Sequence, residues 1–174
     1  MRKERGFTLI ELMVTIAIAA ILLSVAVPSF INLVVGSRLT TQANDLVAGV
    51  YAARSEAVKR NQNVSLCRAG SATATACAGA GVWEHWIVLA GVDTVVRRGV
   101  LHRYGSTIGT TSSLPGGELV FSPDGLARTT GGVLANGQTI TVCAASGPPD
   151  NMRRLDIGAG SRISTTAVGG SCTW

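Results

Sequence analysis

The hydrophobic rhythm of the chain changes twice. From Phe7 to Val35 nearly every side chain is apolar or small, and Glu11 is the single ionisable group. That run exceeds the roughly 20 residues a helix needs to cross a bilayer. The pattern then turns amphipathic. Leu39, Ala43, Leu46, Val47, Val50, Ala53, Ala57 and Val58 recur at steps of three and four, with Arg38, Asp45, Arg54, Glu56, Lys59 and Arg60 on the other side. Asn61-Gln62-Asn63 is a natural stop. One helix from residue 7 to about 60 is predicted, roughly 80 Å long at 1.5 Å per residue. After it the pattern shortens into strand-like segments at 63–68, 85–90, 95–101, 118–121, 138–144 and 152–157, with a last one near 161–166.

The expected fold is therefore α+β: a long N-terminal helix packed on a C-terminal antiparallel β-sheet head. The expected divisions are a leader at 1–6, a membrane or filament-core helix at 7–35, an amphipathic helix at 36–62 and a globular head at 63–174. Pro28 removes a backbone donor inside the apolar run, so a kink or local melting is expected there. Ser122-Pro123-Asp124-Gly125 is a strong turn signal between two strands. Trp83 and Trp86 are expected in the core or as cover for the helix, and Trp174 either packs beside a disulfide or is disordered.

Composition supports one span plus one head. The chain is 47% hydrophobic but still 14% charged, too apolar for an average soluble domain and too polar for a multi-span protein. The net charge of +5 falls to +3 when Arg2, Lys3, Arg5 and Glu4 are removed with the leader, so the head is only mildly basic. Those leading basic residues predict a cytoplasmic N-terminus with the remainder outside. A secretory signal would end its apolar run at a small-residue cleavage site; here Gly6 ends the charged leader and the apolar run follows at once.

Cys67, Cys77, Cys143 and Cys172 form no C-x-x-C pair, and His85 and His102 are not at zinc-ligand spacing from them. Two disulfides in an oxidising compartment are expected, free thiols being the alternative. Of three pairings, Cys67–Cys77 and Cys143–Cys172 are favoured because each closes a short loop. The histidines lack the Ser and Asp partners of a triad, and no metal site, cofactor or enzymatic activity is expected. Glu11 is the outlying group: a lone carboxylate in a membrane helix costs about 2–3 kcal/mol, so it either snorkels to the interface, five residues into the run, or pairs with a cation on a neighbouring chain.

Arg5-Gly6-Phe7-Thr8-Leu9-Ile10-Glu11 resembles the class III signal of type IV pilins and type II secretion pseudopilins. The resemblance implies that a prepilin peptidase cuts between Gly6 and Phe7 and methylates the new Phe7 amine. It implies Glu11, with Thr8, as the assembly residues, Glu11 pairing with the N-terminal amine of an adjacent subunit. Buried charges are tolerable only when paired. The helix end Tyr51-Ala-Ala-Arg-Ser-Glu-Ala-Val-Lys-Arg-Asn61, before Val64-Ser-Leu-Cys67, resembles the GspH/FimT branch, with Arg54 bracing or capping the head.

The implied role is that of a minor pilin of the FimU kind, near the filament tip, helping assembly. Its implied partners are other minor pilins, the major pilin and the inner-membrane assembly platform. The implied location is the bacterial inner membrane as a single span with a periplasmic head, then the pilus. A second implied role is DNA capture of the FimT kind, with Arg153, Arg154 and Arg162 as candidates; such arginine–phosphate contacts are sequence-blind and salt-sensitive. That branch's Gly-Arg-x-Arg pattern is missing, because Gly160-Ser-Arg162-Ile-Ser holds one arginine. A solvated basic strand edge accounts for the same residues. A third implied role is a type II secretion pseudopilin, against which the four cysteines and basic head weigh.

Overall fold

The computed structural model describes residues 7–101 and 108–173. Readings placed on Gly6 and the leader, on His102 and on Trp174 lie outside the described residues.

Helix α1, Leu9–Arg60, runs for 52 residues. Thr8 caps its start, and Asn61, in the left-handed conformation (φ 50°), ends it; asparagine is among the few non-glycine residues that enter this region readily. The helix is continuous through Pro28. The expected local melting is absent: proline deletes one donor, and the turns on either side keep theirs.

Nine strands follow: β1 Val64–Ala69, β2 His85–Ala90, β3 Thr94–Val100, β4 Ile108–Ser112, β5 Glu118–Phe121, β6 Ala127–Arg128, β7 Gln138–Ala144, β8 Met152–Ile157 and β9 Ile163–Val168. They form two antiparallel sheets, ordered β3-β2-β1-β5-β6 and β4-β7-β8-β9. The seven expected strands are present. β4 and β6 were not expected: Ile-Gly-Thr-Thr-Ser lacks an apolar alternation, and two residues carry no period at all. β9 begins two residues later than expected, because Ala159–Ser161 forms a 3₁₀ turn in which Ser161 has φ 60°.

The second half of α1 lies against both sheets. Leu39, Ala43, Leu46, Val50, Ala53 and Ala57 are buried with Leu66, Trp83, Trp86, Phe121, Ile140, Val142 and Leu155 in one core. Val58, expected inside, is 55% exposed; it lies about 100° round the axis from Ala57 and so falls off the stripe. A smaller cluster on the outer face of the first sheet joins Cys67 and Ala69 to Ile87 and Leu89. The split follows from strand geometry, since alternate residues of β1 and β2 face opposite sides. Ser122–Gly125 makes the expected β5–β6 turn: Gly125 N–H donates to Ser122 O at 2.8 Å, with φ 74° at Gly125, and Asp124 Oδ1 accepts from Leu126 N–H at 2.9 Å.

Candidate functional site: the apolar helix and its seat in the head

The apolar half of α1 is bare. Leu9, Ile10, Ile16, Leu22, Val25, Phe30 and Leu33 are all exposed, and this segment is long and apolar enough to cross a membrane. At its start Thr8 and Glu11 form a capping box. Glu11 Oε2 accepts from Thr8 N–H at 2.9 Å and from Thr8 Oγ1 at 2.9 Å, while Glu11 N–H donates to Thr8 Oγ1 at 3.3 Å. Helix starts leave four N–H groups without intrahelical partners, and this box satisfies two of them. It also aims the carboxylate: one oxygen is engaged, and Oε1 accepts no hydrogen bond among the described residues. Phe7, Ile10, Glu11, Val14 and Thr15 line a shallow recess of about 320 Å³ beside it. Thr8 and Glu11 are thus brought together, with Phe7 at the same end.

The head grips α1 at its far end. Trp86 is 2% exposed and stands between two glycines. A Cβ on Gly49 would lie 2.8 Å from its ring, and one on its strand partner Gly99 would overlap the indole. The Trp86 indole fills the space between the helix and β3 because neither Gly49 nor Gly99 has a side chain to occupy it. The Arg97 guanidinium covers the ring at 5.8 Å, a cation–π contact. Both tryptophans are core residues, Trp83 being fully buried.

Arg54 does brace the head. Its Nη1 donates to Ser161 O at 3.4 Å, while Ser161 Oγ accepts from Ala127 N–H at 2.6 Å. One buried serine thereby joins the helix, the β8–β9 turn and β6. Nothing in the sequence marks Ser161, whose role depends on a positive φ and a neighbour 34 residues away. Gly49 carried a weak signal, a small residue inside the buried stripe. Glu56 pairs with Arg60 and, at 3.5 Å, with Lys59. The Arg60 hydrogen bond holds its carboxyl below the usual range. Asp124 is likewise held low, first by the Leu126 N–H and then by Arg128.

Both disulfides have the expected partners, Cys67–Cys77 and Cys143–Cys172, with Cα atoms 5.6 and 5.8 Å apart. The first folds the 68–81 segment over the outer apolar cluster. Arg68 secures it through Gly79 O at 2.9 Å and Ala78 O, and Arg98 through Ala74 O at 3.2 Å. The second ties the C-terminal segment to β7. Asn151 secures that segment further, donating to Gly170 O at 2.9 Å and accepting from Gly170 N–H at 3.0 Å.

The three candidate DNA-binding arginines do not converge. Arg153 and Arg154 are consecutive strand residues and face opposite sides. Arg153 bonds Thr40 of the helix at 3.2 Å and the main chain at Asp150 and Met152, whereas Arg154 pairs with Asp156 at 2.9 Å. Arg162 lies across the β8–β9 turn, opposite Gly158. Arg153 and Arg154 form no basic edge, since β8 is an inner strand between β7 and β9.

A bare apolar half-helix, a seated half-helix and an antiparallel sheet head define a pilin-type subunit. The family profile described as Type II transport protein GspH matches residues 42–161, and the prokaryotic N-terminal methylation motif matches residues 1–27. The chain belongs to this GspH family of type IV minor pilins and pseudopilins and carries the methylation motif. No curated protein matches it at a significant level. Among solved structures it resembles the type IV minor pilin FimU of Pseudomonas aeruginosa in two crystal forms. One match has TM-score 0.53 at 20% identity, over 74% of this chain and 92% of the other. The second has TM-score 0.55 at 21% identity, over 75% and 89%. At such identity the likeness is one of fold.

Proposed function

We propose that the protein is a minor pilin, cut by prepilin peptidase between Gly6 and Phe7, methylated at Phe7 and assembled near the tip of a type IV pilus. Before assembly it is held in the inner membrane by α1 with its head in the periplasm; its partners are other minor pilins, the major pilin and the assembly platform. The observation that carries this reading is the bare apolar half of α1 with a single carboxylate, preset at the end where the mature chain would begin. A membrane tolerates the apolar surface. The unpaired Glu11 charge is unfavourable in hydrocarbon by about 2–3 kcal/mol until a cation meets it. The Phe7 amine of a neighbouring subunit is that cation, and Thr8 holds Glu11 facing it.

Glu11→Leu separates anchoring from assembly. Membrane retention is expected to be unchanged or stronger, and the amount in sheared filaments to fall at least about tenfold, a loss of about 1.4 kcal/mol or more in assembly. Normal incorporation of this variant overturns the pairing. A second reading, a type II secretion pseudopilus subunit, is favoured by the name of the matching family. Crosslinking and identification of co-purified subunits decides between them: pilus subunits support the first, secretion pseudopilins the second.

A further inference from the structure

Each of the two sheets has two edges, and among the described residues three of these four are closed. β3 carries Arg97 and Arg98, and its register against β2 shifts between Val88 and Leu89. β6 has two residues and is bridged at Arg128 by Leu134. β4 is covered where Trp83 N–H donates to Thr110 O at 2.8 Å. Charge, bulges, shortness and cover are the devices that keep edge strands from pairing with other chains.

β9 has none of them. Its six residues, Ile163–Val168, include no charge, proline or glycine, and they keep regular register with β8 from Ile157↔Ile163 to Met152↔Val168. Ile163, Thr165, Thr166 and Val168 are β-branched, the type that suits a pleated strand. Gly158 N–H donates to Arg162 O at 2.8 Å, which makes Gly158 and Arg162 a hydrogen-bonded pair of the ladder. Antiparallel pairs alternate. Ser164, Thr166 and Val168 therefore bond to β8, and the N–H and C=O groups of Ile163, Thr165 and Ala167 point away from it.

We propose that the β9 edge is a strand-addition site for an extended segment of a different pilin subunit, one that places a carboxylate beside Arg162. The inference rests on the filament-subunit reading above. The charge requirement comes from the edge itself. Arg162 is exposed and has no ion pair among the described residues, β9 has no acid, and the nearby Asp156 is occupied by Arg154 at 2.9 Å and Thr166 Oγ1 at 3.2 Å. A second copy of this chain does not fit. Its β3 would set Arg97 and Arg98 against Arg162, its β6 is too short, its β4 is covered, and its β9 brings no carboxylate. Main-chain bonds would supply the attraction and the paired charge would set register and partner.

The test uses the full chain in piliated cells. A photoreactive benzoylphenylalanine replaces Thr165 in one strain and Val14, in the apolar helix, in another. Irradiation at position 165 is expected to give an adduct with another pilin, mapped by mass spectrometry to a segment holding Asp or Glu. Thr165→Pro deletes an outward N–H and leaves the β8 ladder intact, so it is expected to lower recovery in filaments at least about tenfold, while Thr165→Val stays near the parent. Arg162→Glu is expected to reduce the adduct and Arg162→Lys to keep it. An adduct at 14 without one at 165, an adduct at 165 only with a second copy or with a non-pilin protein, or parental incorporation of Thr165→Pro overturns the strand-addition site alone. No pilin adduct at either position overturns the filament reading and this inference with it.

Discussion

The two halves of α1 share one unbroken hydrogen-bonded ladder and meet opposite fates. Leu9 and Leu33 are 76% and 68% exposed, whereas Leu39 and Leu46 are fully buried. The head first touches the helix near Val35, where a Cβ on Gly147 would come within 2.8 Å of Val35 Cγ1. Upstream of that point the helix has no partner among the described residues of its own chain and its surface is nearly all apolar, the signature of a membrane span or buried core helix. Downstream it is a one-sided helix completed by two sheets. The difference teaches that one helix can carry two separate duties. Nothing among the described residues of its own chain completes the bare half, and on the function proposed above its residues govern assembly. The seated half is finished by its own chain, so its residues govern the stability of the head.

That division can be broken by variants of the seated half that disturb assembly without disturbing the head, or the reverse. Trp86→Ala removes the ring held between Gly49 and Gly99 and is expected to destabilise the head by about 3–5 kcal/mol. Denaturant unfolding of the full chain in detergent measures it, and membrane retention is expected to stay unchanged. A loss of retention would mean that the two halves are coupled. Cys172→Ser opens the Cys143–Cys172 loop and is expected to remove about 2–4 kcal/mol; unfolding midpoints with and without reductant should converge in this variant if the Cys67–Cys77 bond contributes little. The smallest effect concerns acid. Glu56 and Asp124 have folded-state pKa values below their unfolded ones. Their contribution is therefore present above the ordinary carboxylate range of about 4 and is lost as pH falls through and below it. Both are solvent-screened, so a slight fall in melting temperature on acidification is expected, and Asp124→Asn should flatten it. A larger fall that persists in that variant would place the acid-sensitive group elsewhere.

Much of this architecture was legible in the residue order. The helix, its end at Asn61, the seven apolar strands, the Ser122–Gly125 turn and the two short-loop disulfides rest on local signals: periodicity of 3.6 or 2, turn chemistry and sequence proximity. β4 and β6 were not legible because strands so short or so polar exist only through their neighbours. Val58 was misplaced because an apolar residue beside a helical stripe looks like part of it until the facing sheet sets the stripe's width. The spatial arrangement of the arginines was not legible for a related reason. Sequence distance puts Arg153, Arg154 and Arg162 together, whereas the pleat sends the first two to opposite faces and the β8–β9 hairpin sets the third opposite Gly158.

The sequence by itself determined the apolar helix with its single carboxylate, the basic leader that precedes it and the alternating segments of the head, because each is a repeating pattern read within a few residues. Only the tertiary structure decided that Gly49 and Gly99 admit Trp86, that Ser161 joins helix, turn and β6, and that among the described residues β9 is left open while the other three edges are closed. Those features depend on which residues distant in sequence come within contact distance, and no local period encodes that.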